Sequence, residues 1–535
     1  MKKRWQNGLA LLPLLLLAIP LLLQPAAEDR LTRDGAETLV VLTPHSESIR
    51  YEFERAFQKY YREHYGRDIV IDWRSPGGSS DIVRYIDDRY EAAFREYFLS
   101  DPANGGWDEE IAVNYANHRL NPATASPRAV KARELFLNSD VGIGVDLFFG
   151  GGMYDQQKHA ARGFAVDGGV ARRHPDIFRP EVIPASFSGE TLFDLQGRTY
   201  GVCLSSFGIC YNPDRLAELG GTPPHSWSDL GEGKFFRTLS VADPTKSGSI
   251  TKCFEMILQQ NMQQAQKSDL EHGVADGWAN GMNLIKRIAG NAVTITDSAG
   301  KVTRDVASGN AAAGMCIDFY AFAEAEWTAG QNNGISRIVY VLPESGSSIT
   351  ADPVQLLRGA PNRPAAEAFL DFLLSLDGQK LWDFKVGTPG GPVKYVIRRP
   401  PIRRDLYVGE FKPFLADGDY NPYEGGGAFE YDGRLTGAYF NLIRVLIKCV
   451  VLDPLDELQA AWQAILEAGG PEAVPEAMAQ FNWLPFAYEE AGRLDELLYP
   501  QQNWSMAQVV ALRREWTKQA QQHYLRAAEL ARQGK

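Results

Sequence analysis

The feature that most restricts the fold is a unit that recurs along the chain: a short apolar run, a polar loop, then a segment with helical spacing. "TLVVLT" (Thr38 to Thr43) ends in "PHSES", after which Ile49, Phe53, Ala56, Phe57 and Tyr60 mark a helix that stops at Gly66. "DIVIDW" leads through "SPGGSSD" into a helix carrying Ile82, Ile86, Ala93, Phe94 and Tyr97. The same order returns at "VDLFFGGG", "LSVADPTKSGS", "AVTITDSAG" and "AAAGMCIDFY". Such alternation predicts an α/β fold with parallel sheets, whose ligands bind at the carboxyl ends of the strands. Each polar loop falls at such an end.

The loop "DPTKSGS" (Asp243 to Ser249) precedes Ile250, Cys253, Phe254, Ile257 and Leu258, one buried face of a helix. Ser247, Gly248 and Ser249 therefore stand at a helix N-terminus, where the first N–H groups lack partners and the helix dipole favours negative charge. Taken alone, the loop is either a simple cap or part of an anion cradle.

A chain of 535 residues implies several domains, and its net charge of -12 argues against a general nucleic-acid-binding surface. The start, "MKKRWQNGLALLPLLLLAIPLLLQPAAEDR", reads as an export signal over residues 1–27, either cleaved or kept as an anchor. No second run reads as long enough to cross a membrane. The remainder is expected in the periplasm or at the outer face of the inner membrane. Cys203, Cys210, Cys253, Cys316 and Cys449 show no metal-type spacing and read mostly as small buried hydrophobes. The chain lacks G-x-S-x-G, H-E-x-x-H, a Walker phosphate loop and a G-x-G-x-x-G after a strand, and its "SITK" has neither S-D-N nor K-T-G to activate the serine. The expectation is a protein that is not an enzyme and needs no cofactor.

Two stretches break the alternation. Residues 98–140, with "SDPANGGWDEE" and "NPATASPR", form a polar insertion read as a surface excursion. From 400 to 535 a composition shift at "RRPPIRR" and a loop, "GDYNPYEGGG", lead into a mainly helical extension. Its apolar stripes, Leu455, Leu458, Trp462, Ile465, Leu466 and then Val509, Leu512, Trp516, Tyr524, read as core-facing.

In order, "VVLTPHSES", "PGGSSDI", "DLFFGGG", "YGVCLSSFGICYNPDRL", "SWSDL", "VADPTKSGS", "DVASGNAAAGMCIDFYAFAEAE" and "APNRPAAEAFLDFLLSLDGQKLW" resemble the extracellular solute-binding proteins of ABC importers. The likeness is strongest to the branch that includes ferric-ion, thiamine, aminoethylphosphonate and sugar-phosphate binders. It implies a two-lobed, periplasmic-binding-protein-like fold over 38–399 that closes on its ligand about crossing strands. Lobe 1 would cover about 38–200 with a return near 330–399, lobe 2 about 205–325, and Gly201 to Asn212 would carry one hinge strand. The resemblance places ligand contacts at His45 and Ser46, Ser79 and Ser80, and Gly151 and Gly152 on the first lobe. On the second it places them at Thr245, Ser247 and Ser249, Asp297 and Ser298, and Asp318 and Tyr320.

Each position also has a plainer reading. His45 can be a turn residue, Ser79 and Ser80 caps, and Gly151 and Gly152 backbone requirements. Asp318, beside apolar "MCI" and "FY", needs a partner if buried, and a protein cation would serve. Hydroxyls and helix N-termini suit a small phosphonate, organic phosphate or carboxylate, delivered by a monomer to an importer permease, with no nucleic acid involved. Ferric ion, held by His45, Asp318 and Tyr320, is the alternative, weakened by Phe319 where ferric binders carry the first of two adjacent tyrosines. A membrane-anchored sensor or scaffold is the alternative of another class, and an exported hydrolase has little support. The extension beyond Pro400 is expected to play no part in recognition.

Overall fold

The computed structural model describes residues 35–498 and 506–535, so the export segment 1–27 lies outside the described residues. The strands are β1 (Glu37–Leu42), β2 (Ile69–Arg74), β3 (Leu147–Phe149), β4 (Ala165–Val166), β5 (Ser186–Phe187), β6 (Glu190–Thr191) and β7 (Tyr200–Tyr211). They continue as β8 (Leu239–Ala242), β9 (Ala292–Thr296), β10 (Ala313–Ile317), β11 (Val339–Val341) and β12 (Ile349–Leu357). In lobe 1, β1 lies parallel to β2 and β3, pairing Leu39 with Ile71 and Val41 with Leu147. In lobe 2, β10, β8 and β9 run parallel.

Two strands join the lobes. The first half of β7 pairs antiparallel with β12, from Tyr200 opposite Val354 to Ser206 opposite Ile349. Its second half pairs antiparallel with β10, from Phe207 opposite Ile317 to Tyr211 opposite Ala313. The strand thus changes lobes at Ser206 and Phe207. Its sequence, "YGVCLSSFGICY", shows no apolar–polar alternation because both faces are covered, and all but Tyr211 are buried. The return to lobe 1 comes at β12, later than the position near 330 expected from the sequence, because β11 still pairs with Ile209 to Tyr211.

The insertion is more than a surface excursion. Its helices Glu109–Asn114 and Pro127–Asn138 bury Ile111, Tyr115 and Phe136 in one cluster with Phe94 and Phe98 of the helix Ser79–Leu99. The five cysteines are buried and free.

The extension first follows lobe 1, then joins lobe 2. Pro400 O accepts from Leu204 N–H at 2.7 Å and Gln379 Oε1 accepts from Ile402 N–H at 2.9 Å. Tyr431 N–H then donates to Ser188 O at 2.9 Å, and Asp432 N–H to Gln259 Oε1 at 2.9 Å on the lobe-2 helix Gly248–Ser268. Beyond this point the apolar stripes do face a core, and it is lobe 2's own. Trp462 lies on Gly290, where a Cβ would sit 2.7 Å from the indole, and its Nε1 donates to Asn291 Oδ1 at 2.8 Å. Lys286 is buried beneath the extension and donates to the carbonyls of Phe481 and Trp483, and burial pushes its pKa down to about 7. The stretch Gly433–Leu452 is apolar and long enough to cross a membrane by length and composition, which the sequence reading overlooked. Here Leu442, Ile443, Leu446 and Ile447 pack in the lobe-2 core.

Candidate functional site

The candidate residues lie in loops that follow the carboxyl ends of the strands. After β1, His45 is buried against the loop that follows β3. Gly150 there has φ +96°, and a Cβ on it would meet His45 Nε2 at 2.7 Å, so only glycine lets the two loops touch. The next residue, Gly151, brings Ser79 Oγ within 3.5 Å of its Cβ position. Ser46, Gly152 and Ser298 precede their helices without any side-chain cap bond. Ser80 lies exposed in the first turn of its helix.

On lobe 2 the two outer loops are joined by Asp243 N–H donating to Thr296 O at 2.8 Å. Thr245 turns its N–H and hydroxyl onto Asp243 Oδ1 (2.8 and 2.6 Å), and Ser247 caps Ile250 N–H at 3.4 Å. Ser249 is half-buried in the first helical turn. Asp297 pairs with Lys301 at 3.1 Å, both exposed. Asp243, Lys246, Asp297 and Lys301 line an open concavity of about 600 Å³. Tyr320 is 38% exposed and its ring lies 3.7 Å from the Cβ position of Gly300, next to Ser298.

Beneath these loops lies a buried charged group that sequence reasoning missed. Arg399 Nη1 donates to Asp352 Oδ2, and His45 Nε2 stands 3.0 Å from the same oxygen and 3.3 Å from Nη1. One nitrogen cannot serve both: protonated at Nε2 it donates to Asp352, otherwise it accepts from Arg399. Burial pulls the His45 pKa down and keeps the imidazole neutral, opposed by Asp352. Against the cost of burial, Arg399 and His45 hold the Asp352 carboxyl below the usual range. The guanidinium also lies 4.1 Å from the ring centroid of Phe319 on lobe 2. Arg399 thereby connects the lobe-1 loops to the segment that carries Tyr320.

Asp318 is fully buried at the hinge rather than exposed to the cleft. Its carboxyl accepts from Ser206 N–H at 2.7 Å, Ser206 Oγ at 3.0 Å and Phe319 N–H at 2.8 Å. The Ser206 hydroxyl is in turn met by Tyr340 at 2.7 Å and by Tyr420 of the extension at 2.6 Å. Burial pushes the Asp318 pKa up to about 7, against those donors and Arg399. From pH 4 to 7 the native state therefore holds a proton that the unfolded chain has released, so Asp318 lowers stability as pH rises through this window. Asp318→Asn is expected to stabilise the protein at pH 8 by about 2 kcal/mol, the gain from removing a buried charge being partly offset by an amide facing N–H donors. Denaturant unfolding at pH 8 and pH 4 checks this, since the difference should vanish at the lower pH.

Among the described residues no three His, Cys, Asp or Glu side chains gather as a metal-binding set. The model of the bacterial extracellular solute-binding proteins matches residues 195–383. Over this stretch the chain carries the pattern of that family. The match takes in both crossing strands, the lobe-2 loops, Asp318 and Tyr320, and stops before Arg399. The phosphoglycerate transport regulatory protein PgtC of Salmonella typhimurium is 27% identical over 210 residues, 39% of this chain and 47% of its own length. The chain thus spans about half the length of this curated relative. Among solved structures, the periplasmic binding protein AfuA from Actinobacillus pleuropneumoniae, with fructose 6-phosphate bound, is 18% identical at a TM-score of 0.44, covering 76% of this chain and 99% of its own. Iron-bound HitA from Pseudomonas aeruginosa is 13% identical at a TM-score of 0.47, covering 76% and 98%. The matched family and AfuA are binding proteins by name.

Proposed function

We propose that this chain is an exported solute-binding component that captures a small anion, of the organic phosphate, phosphonate or carboxylate type, between its lobes for an ABC importer permease. The observation that supports the reading is that Arg399 touches both His45, in the loop after β1, and Phe319 of lobe 2, while helices of each lobe begin at strand-end loops, after Gly152 and after Ser247. The name of the Salmonella relative, a phosphoglycerate transport regulatory protein, favours a phosphate-bearing solute. Iron is the second reading, but two of its three ligands are already engaged, His45 by Asp352 and Asp318 by Ser206.

Calorimetric titration of the full chain with 3-phosphoglycerate, aminoethylphosphonate, citrate and ferric citrate tests the proposal. Heat of binding is expected with at least one organic anion, and the iron titration should leave the protein colourless. A visible phenolate-to-iron band that Tyr320→Phe removes would replace the anion by ferric ion.

A further inference from the structure

Beside the hinge, a chain of buried charges runs from one lobe to the other. Glu190 lies on β6 of the hairpin β5–β6, whose flanking Phe187 and Leu192 pack with the lobe-1 core. Its Oε1 meets Lys252 Nζ at 2.9 Å, on the lobe-2 helix Gly248–Ser268, and accepts from Ser348 Oγ at 2.7 Å. Ser348 adjoins Ile349, which pairs with Ser206 where β7 changes lobes. Lys252 Nζ also meets Glu255 Oε2 at 2.9 Å. The other oxygen of Glu255 accepts from Thr436 Oγ1 at 2.7 Å and from the Tyr431 hydroxyl at 2.9 Å, both on the extension.

The extension seals this chain. The ring centroid of Tyr431 lies 3.7 Å from the ammonium, and none of the three charged side chains is more than 14% exposed. The backbone of the same segment is fastened to the hairpin: Tyr431 N–H donates to Ser188 O at 2.9 Å and Ser188 Oγ to Phe429 O at 2.7 Å. Gly189, at φ +73°, makes the approach possible, since a Cβ there would collide with Tyr431 O. Against burial, which favours the neutral amine, Glu190 and Glu255 raise the Lys252 pKa and keep the ammonium charged. Such a pair tolerates little movement, because separating its partners leaves a charge buried without water or a counterion.

We propose that Glu190, Lys252 and Tyr431 form a clasp between the lobes: Glu190 holds Lys252 across the hinge, Tyr431 shuts water out of the pair, and the cleft is kept at one opening. This goes beyond the solute-binding reading, which needs a cleft but not a fixed one. It departs from the closure about crossing strands that the family resemblance implies.

The test measures the distance between the lobes of the solute-free full chain by double electron–electron resonance. Spin labels are carried by Arg95→Cys in lobe 1 and Lys267→Cys in lobe 2, both exposed positions, while the five native cysteines are buried. The labelled chain with its clasp intact should give one narrow distance. Glu190→Ala frees the lobe-1 end and leaves Lys252 its Glu255 partner, and should add a second population longer by more than about 2 Å. Glu190→Gln, which keeps the shape but not the charge, should add less of it. A thermal unfolding midpoint confirms that each variant is folded, and if Glu190→Ala does not fold, Glu190→Gln carries the test alone. Two distances in the chain with its clasp intact, or a single unchanged distance in the variant that carries the test, overturns the clasp. Because no solute takes part, either result leaves the solute-binding reading standing.

Discussion

Replacing Arg399 by alanine is expected to lower the unfolding free energy by about 3–5 kcal/mol. Arg399 is 7% exposed, and its guanidinium pairs with Asp352 on a crossing strand and covers the face of Phe319 on the other lobe. Without it the Asp352 carboxylate is left buried with His45, a neutral imidazole, as its remaining side-chain partner. Most of the loss therefore comes from an uncompensated charge rather than from a missing contact. Removing both charges in Arg399→Met with Asp352→Asn should cost far less than the single change, because no unpaired ion remains. Denaturant unfolding of the two single variants and the double variant measures the coupling. A loss below about 1 kcal/mol for Arg399→Ala would show that water reaches Asp352 and screens it.

Trp462→Ala is expected to cost about 3–5 kcal/mol, the usual range for emptying a large buried aromatic site. The indole is 1% exposed and fills the space left by the missing side chain of Gly290. The change also strips Asn291 Oδ1 of its donor, while the Asn291 amide still bonds the carbonyls of Leu230 and Glu232. Because Trp462 belongs to the extension and Gly290 to lobe 2, one cooperative transition should cover both. Two separate thermal transitions in the wild-type chain would argue that the extension folds independently.

The strand–loop–helix rhythm was legible because each unit is local: a β-branched run, a Gly- or Ser-rich turn and an amphipathic helix lie within about 30 residues. His45 and Gly151 were named on the family resemblance, and they fall in the loops after β1 and β3. Arg399 was missed. Its partners Asp352 and His45 stand 47 and 354 residues away, and its own surroundings, "RRPPIRR", read as a change of composition. Asp318 was recognised as an acid in need of a partner, but the partner is Ser206, a hydroxyl on the crossing strand that no spacing rule selects. The aromatic core of the insertion went unread because Trp107, Tyr115 and Phe136 are scattered among polar turns. In Gly433–Leu452 the charges of Arg434, Arg444 and Lys448 interrupt a run that is otherwise apolar.

The passage of the extension from lobe 1 to lobe 2 adds a third traverse to those of β7 and β12. Parity then decides where the chain's described ends lie. With an even number of traverses both would belong to one body, but with an odd number β1 belongs to lobe 1 while the helix Met506–Arg532 contributes Trp516 and Tyr524 to the lobe-2 core. A pair of fluorophores, one near each end, would therefore straddle the hinge, and their transfer efficiency would work as a protractor for the angle between the two bodies.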